Sequence, residues 1–214
     1  MKIFDLDSPV IRFLTMMADV MIISLLWILT SIPIVTVGAS TTAAYYVLTR
    51  RVSNREGYLL RDYFTAFRIN FVNATLAFLT LMVFIIVPLL NIYNIEFYGR
   101  FGIVALPLNI VMIAEAIFVY IHIFPMASRF DMKYRQLLKS AFLIANKHLL
   151  TTITHAAFFV GVLLLIFYYP ILLLFGAGIY CWLSSYMLMR IYRKYRPEMD
   201  KNEHELELMN KSNK

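Results

Sequence analysis

Five stretches of almost unbroken apolar residues organise the chain: Phe13 to about Val37, Ala74 to about Ile92, Phe101 to Phe124, Leu149 to Tyr168 and Ile171 to Ile191. Each has close to the 20 residues or so that cross a hydrocarbon core as a helix rising about 1.5 Å per residue. Charged residues gather between the stretches, so the pattern predicts an all-α, polytopic helical membrane bundle with five transmembrane helices. The last two stretches are separated only by Tyr169-Pro170, which predicts a tight hairpin, because proline lacks a donor and turns its predecessor away from helix. The first ends at Ser31-Ile32-Pro33 to Gly38. If that punctuation is itself a turn, Ile34 to Thr49 returns as a sixth crossing. Its sixteen residues reach only about 24 Å, short of a core of roughly 30 Å.

The polar connections carry patterns of their own. Tyr58 to Phe71 places Leu59, Phe64, Phe67 and Phe71 on one helical face with Arg61 and Arg68 offset from it, and Tyr134 to Leu143 does the same with Leu137, Leu138 and Phe142 beside Lys139. Both predict amphipathic helices at the cytoplasmic face, each leading into a span. Ala66-Phe67 and Ala141-Phe142, followed by Asn70 and Asn146 and then by Thr-bearing spans, suggest an internal parallel duplication offset by about 75 residues, as in many transporter folds. Any surface helix feeding a span produces a similar pattern. Residues 1–196 read as a single integral membrane domain and 197–214 as a short mixed-charge tail.

Composition agrees: 61% of the 214 residues are hydrophobic and 15% charged, with a mean hydropathy of +0.70, against about 25% charged in ordinary soluble domains. The net charge of +7 marks orientation here, not nucleic acid. Arg50, Arg51, Arg55, Arg61 and Arg68 fill one connection, Arg129, Lys133, Arg135, Lys139 and Lys147 another, and Arg190, Arg193, Lys194, Arg196, Lys201, Lys211 and Lys214 the C-terminal end, whereas the remaining connections hold only Arg100. Basic segments stay cytoplasmic. The C-terminus is therefore expected inside, with the N-terminus outside for five crossings and inside for six. Cys181 has no partner in its own chain and reads as a small buried hydrophobe.

Candidate chemistry is sparse. There is no phosphate-cradling glycine loop, no H-E-x-x-H, no nucleophile elbow and no paired-cysteine metal site, so we expect no enzyme activity, no catalytic residues, no metal and no cofactor. What remains are polar residues inside spans, which lipid penalises. Glu115 and His122 lie two turns apart on one face, and His148, Thr152 and His155 form a similar stripe on the next span. With these spans antiparallel, Glu115 and His155 come within reach of each other. Such a cluster could relay protons or hold a divalent metal, or it could simply bridge helices by hydrogen bonds. Asp19 is expected to cap or pair near one interface, and Asn109 after Pro107 to satisfy an irregular helix. In the segment carrying Pro33, Thr36, Gly38 and Thr42, a missing donor, a flexible glycine and short hydroxyls fit either a broken helix lining a transport site or a plain turn.

Ser31-Ile-Pro-Ile-Val-Thr-Val-Gly-Ala-Ser-Thr-Thr-Ala-Ala-Tyr-Tyr-Val-Leu48, with Arg55-Glu56-Gly57-Tyr58 and Asp62-Tyr63-Phe64-Thr65-Ala66-Phe67, resembles the YesL-like family of small bacterial membrane proteins, a domain of unknown function. Phe124-Pro-Met-Ala-Ser-Arg-Phe130, Leu138-Lys-Ser-Ala-Phe142 and Asn146-Lys147-His148 extend the likeness to about Arg196. The resemblance implies a bacterial cytoplasmic-membrane protein encoded beside sugar-uptake ABC transporters, polysaccharide-degrading enzymes and two-component regulators, and it brings no catalytic residues. The expected role is a non-enzymatic accessory protein of carbohydrate uptake, with the lipid bilayer and sugar ABC permease subunits as partners. The alternative is an autonomous secondary transporter or channel using Glu115, His122 and His155. The orientation is checked by cysteine labelling: in a Cys181→Ser background, cysteines introduced at Ser53 or Asn210 should resist a membrane-impermeant reagent in intact cells, and strong labelling of either reverses the topology.

Overall fold

A computed structural model describes residues 9–52 and 58–195, and the expectations for Arg55-Glu56-Gly57 and for the tail 197–214 lie outside these residues. Seven α-helices follow in order: α1 (Pro9–Thr30), α2 (Val37–Val52), α3 (Leu59–Tyr93), α4 (Gly102–Arg129), α5 (Tyr134–Lys147), α6 (Leu149–Tyr168) and α7 (Leu173–Tyr195), with short 3-10 turns at Ile34–Thr36, Ile95–Phe101 and Pro170–Leu172. No strand occurs among the described residues. Five of the helical segments are long and apolar enough to cross a membrane, and they correspond to the five apolar stretches. Helices are the expected solution, because each closes its own backbone hydrogen bonds without help from water.

Side-chain pairs fix the helix directions. Asp19 meets Arg51 at 3.0 Å and Trp27 Nε1 donates to Thr41 Oγ1 at 3.0 Å, so α1 and α2 are antiparallel. Arg50 lies 3.6 Å from Asp62, while Gly38 abuts Ala74 and Phe78, so α3 turns back again. Asn91 meets Asn109 near one end of the α3–α4 pair and Asn73 meets the Met132 carbonyl at the other. Tyr45 with Ser184 and Thr49 with Ser185 make α7 parallel to α2. The result is three helical hairpins, α1–α2, α3–α4 and α6–α7, each turned by a 3-10 segment, with α5 inserted before the third; the start of α2 lies level with Ala74 and Phe78, part-way along α3.

Five segments are long and apolar enough to cross a membrane, as expected, and α2, which turns back between α1 and α3, is not among them. Its 16 residues are too few for lipid but sufficient in the centre of the bundle, where α1, α3, α4 and α7 surround it. From Gly38 to Leu48 every residue except Tyr46 is buried.

The two amphipathic segments behave differently. Tyr58 to Phe71 is no separate surface helix: from Leu59 it is the first part of the 35-residue α3, which runs unbroken for about 52 Å. Its buried stripe is Tyr63, Ala66, Ala74, Ala77, Phe78 and Leu81, whereas Phe64 and Phe71 face outward. Small residues win the inner face because they let helix backbones approach, the main source of packing energy where lipid is as apolar as any side chain. The second segment is the separate helix α5, which buries Leu137, Ala141, Ile144 and Ala145 and exposes Phe142.

The suggested duplication has a counterpart in helix boundaries. α5 begins and α6 ends 75 residues after the corresponding ends of α3. Ala66 and Ala141 are both buried. The second copy differs in being broken at His148, the position matching Asn73, where α3 continues as helix.

Gly38 sets the closest approach in the bundle's centre. A Cβ there would stand 2.4 Å from the Ala74 carbonyl oxygen and 2.8 Å from the Phe78 Cβ. Gly38→Ala should therefore lower the stability of the detergent-solubilised protein by about 1–3 kcal/mol, the usual cost of overpacking. At Gly161, where a Cβ meets nothing within 4 Å, the same change should leave the melting temperature unchanged or slightly higher.

Candidate functional site

The polar residues inside the bundle form two groups. The first follows α2. Thr36 Oγ1 lies 2.5 and 2.6 Å from the Thr30 and Pro33 carbonyls, which share its one proton and close the turn after α1. Ser40, Thr41 and Thr42 each donate to the carbonyl four residues back, of Thr36, Val37 and Gly38 respectively. Pro33 is exposed at the turn. The Pro33, Thr36, Gly38 and Thr42 segment is thus a turn followed by a helix whose hydroxyls are occupied by its own backbone, and Gly38 serves close packing. Tyr45 Oη donates to Ser184 Oγ at 3.1 Å, Thr49 and Ser185 share a bond of 3.2 Å, and Tyr63 bridges Thr30 to the Ser40 carbonyl.

The second group collects at the break between α5 and α6. His122 on α4 and His155 on α6 are fully buried. His122 Nε2 lies 2.9 Å from Thr152 Oγ1, and that hydroxyl faces the Ala145 and His148 carbonyls at 3.0 and 3.1 Å. A hydroxyl has one proton and carbonyls only accept, so Thr152 donates to a carbonyl and accepts from His122 Nε2–H. His122 Nδ1 is then the bare nitrogen. Tyr192 Oη stands 3.4 Å from it and 3.2 Å from the His122 carbonyl. That carbonyl sits just before Pro125, which has no N–H to give the Ile121 carbonyl and loosens this turn of α4.

By the same reasoning His155 Nδ1, 3.0 Å from the Thr151 carbonyl, carries a proton, which leaves Nε2 as an acceptor. It is buried without a partner. His148 Nε2 meets Tyr195 Oη at 2.6 Å, with the Lys147 ammonium 5.1 Å from the centre of the Tyr195 ring.

Glu115 does not join the histidines through His155. Its Oε1 accepts from Asn146 Nδ2 at 2.5 Å. The reason lies in α5, whose end occupies the flank of α4 where Glu115 points. No group of three histidine, cysteine, aspartate or glutamate side chains is placed to hold a metal among the described residues. Asp19 pairs with Arg51, as an interfacial acid should. Asn109 bonds Asn91 and its own helix at Ala105, while Asn91 accepts from Tyr98, so the irregular start of α4 is satisfied by its own hairpin. Cys181 is buried. A crevice lined by Thr49, Pro125, Arg129, Ser185, Leu188 and Tyr192 has room for about one water molecule.

Tyr45, Thr49, Ser184, Ser185 and Tyr192 were not among the residues the sequence singled out. The paired serines within an apolar run were the available signal, and recognising their partners required α2 to be an interior helix.

Residues 20–92 match a family described as a protein of unknown function, DUF624, which includes the YesL-like proteins. Over those residues the chain is similar to that family, in keeping with the YesL-like resemblance of its sequence. The match runs from α1 through nearly all of α3 and includes the turn and buried helix α2, while the histidine group lies beyond it. No curated protein and no solved structure matches the chain.

The geometry separates the candidates by how much each should matter to stability. Glu115→Gln keeps an oxygen that accepts from Asn146, and its unfolding free energy should stay within about 0.5 kcal/mol of the parent. His122→Leu leaves Thr152 and Tyr192 short of a buried partner and should cost about 1–3 kcal/mol. Thermal unfolding in mild detergent distinguishes them, and equal losses would contradict the assigned partners.

Proposed function

We propose that the protein is a non-enzymatic accessory subunit of the bacterial cytoplasmic membrane, with its C-terminus cytoplasmic, that associates with an ABC-type carbohydrate-uptake system. The observation that carries this reading is the state of its interior. The hydroxyls of Ser40, Thr41, Thr42 and Tyr45 on α2 are taken up by their own backbone or by Ser184, and the crevice beside Arg129 admits about one water, far less than a sugar. Binding sites for small organic ligands are usually clefts of about 300–1,000 Å³. An apolar exterior supported by a close-packed core suits a protein that acts by contact with other membrane helices. The carbohydrate connection rests on the YesL-like resemblance.

The second reading is a secondary transporter or channel. His155 Nε2 supports it, as a buried acceptor without a partner on the same side of the bundle as His122. The two are separated by purification from native membranes in mild detergent, followed by mass spectrometry, and by solute uptake into liposomes holding the pure protein. We expect sugar permease subunits to co-purify and the liposomes to remain inactive. Uptake by the protein alone, abolished in His155→Gln while the fold persists, would replace the accessory reading with the transporter.

A further inference from the structure

Helix α5 shows an outward face that the bundle does not use. Arg135, Lys139, Phe142 and Leu143 fall at i, i+4, i+7 and i+8, and all four are exposed, Phe142 by 48% and Leu143 by 55%. The helix contains no aspartate or glutamate. Of the acids beside it, Glu115 is held by Asn146, and Asp131 lies in the turn from α4.

The helix is also tethered at both ends. Four residues join it to α4 and one, His148, to α6, and both of those helices are long and apolar enough to cross the membrane. The turn before it is fastened to α3 by Asn73, which donates to the Met132 carbonyl, and by Tyr134, whose hydroxyl bonds Thr80. With both ends fixed to spans, α5 remains within the depth of the bilayer or its surface. Exposed Phe142 and Leu143 therefore meet acyl chains, while the guanidinium and ammonium groups of the same face extend toward the headgroups, as long basic side chains do.

We propose that this face of α5 is a binding site for anionic phospholipid, with the headgroup phosphate held by Arg135 and Lys139 and an acyl chain lying on Phe142 and Leu143. Two basic residues over an apolar pair provide both halves of an acidic lipid at one place, on a helix that itself carries no acid. The proposal is independent of the accessory and transporter readings, since either protein needs its α5 seated.

The test uses the full chain reconstituted in nanodiscs containing equal amounts of phosphatidylglycerol and phosphatidylcholine, with the lipids retained after gentle release counted by native mass spectrometry. Wild type should retain phosphatidylglycerol preferentially. Arg135→Gln/Lys139→Gln should reduce that preference by on the order of tenfold, given the attraction each basic residue contributes at an anionic surface. Arg135→Lys/Lys139→Arg should keep it, and Arg61→Gln/Arg68→Gln, an equal charge loss on exposed positions of α3, should keep most of it. Lys139→Gln alone should give an intermediate loss and serves if the double variant is not monodisperse. Equal retention of both lipids by wild type, an unchanged preference in the α5 variants, or an equal loss from the α3 variant overturns the proposal. So does capture of a protein partner that depends on Arg135 and Lys139 while the lipid preference does not.

Discussion

The contact of α2 with α3 at Gly38 is the constraint on which the bundle depends. α2 is the helix with the most hydroxyls for its length, and lipid would penalise it on every side. It is tolerable only in the middle, and it fits there only because Gly38 lets its backbone lie against the Ala74 carbonyl. The neighbours comply in kind. Ala66, Ala74 and Ala77 line α3, and Gly178 of α7 lies against Val20 and Ser24 of α1, where a Cβ would fall 2.5 Å from the Val20 oxygen. Small residues at these crossings exchange side-chain volume for backbone proximity, which raises the number of dispersion contacts and brings hydroxyls within bonding distance.

The long apolar helices were legible in the sequence because their hydrophobicity is continuous and their length is set by the bilayer. The boundaries of α6 fall at the ends of its apolar stretch, Leu149 and Tyr168. α2 was harder to place, since its burial is supplied by protein and not lipid, and no hydropathy rule for spans applies to a helix that touches little lipid. The face of α3 was misassigned for a related reason. Phenylalanines look like the core side of an amphipathic helix in water, but beside a membrane Phe64 and Phe71 are as comfortable outside, and the alanines and Tyr63 pack inside.

Among the site residues, helical spacing put Glu115 with His122 on one face and Thr152 with His155 on the next span, and the structure joins these two helices through His122 and Thr152. Glu115 was paired with the wrong partner because α5 was taken to lie at the surface, whereas its last turn reaches Asn146 up to the carboxylate. The orphan nitrogen of His155 could not be read from sequence at all, since it depends on which carbonyl fixes the other nitrogen's proton.

The long separation of α2 from its last partners has a consequence for biosynthesis. Tyr45 finds Ser184 139 residues later, and Thr49 finds Ser185 136 residues later. Ribosomes extend a chain at about 5–20 residues per second, so these hydroxyls wait several seconds for the helix that receives them. During that interval α2 has α1, and then α3, but an open flank where α7 will lie. The newborn protein is therefore an incomplete ring around its most polar member until the last hairpin closes it.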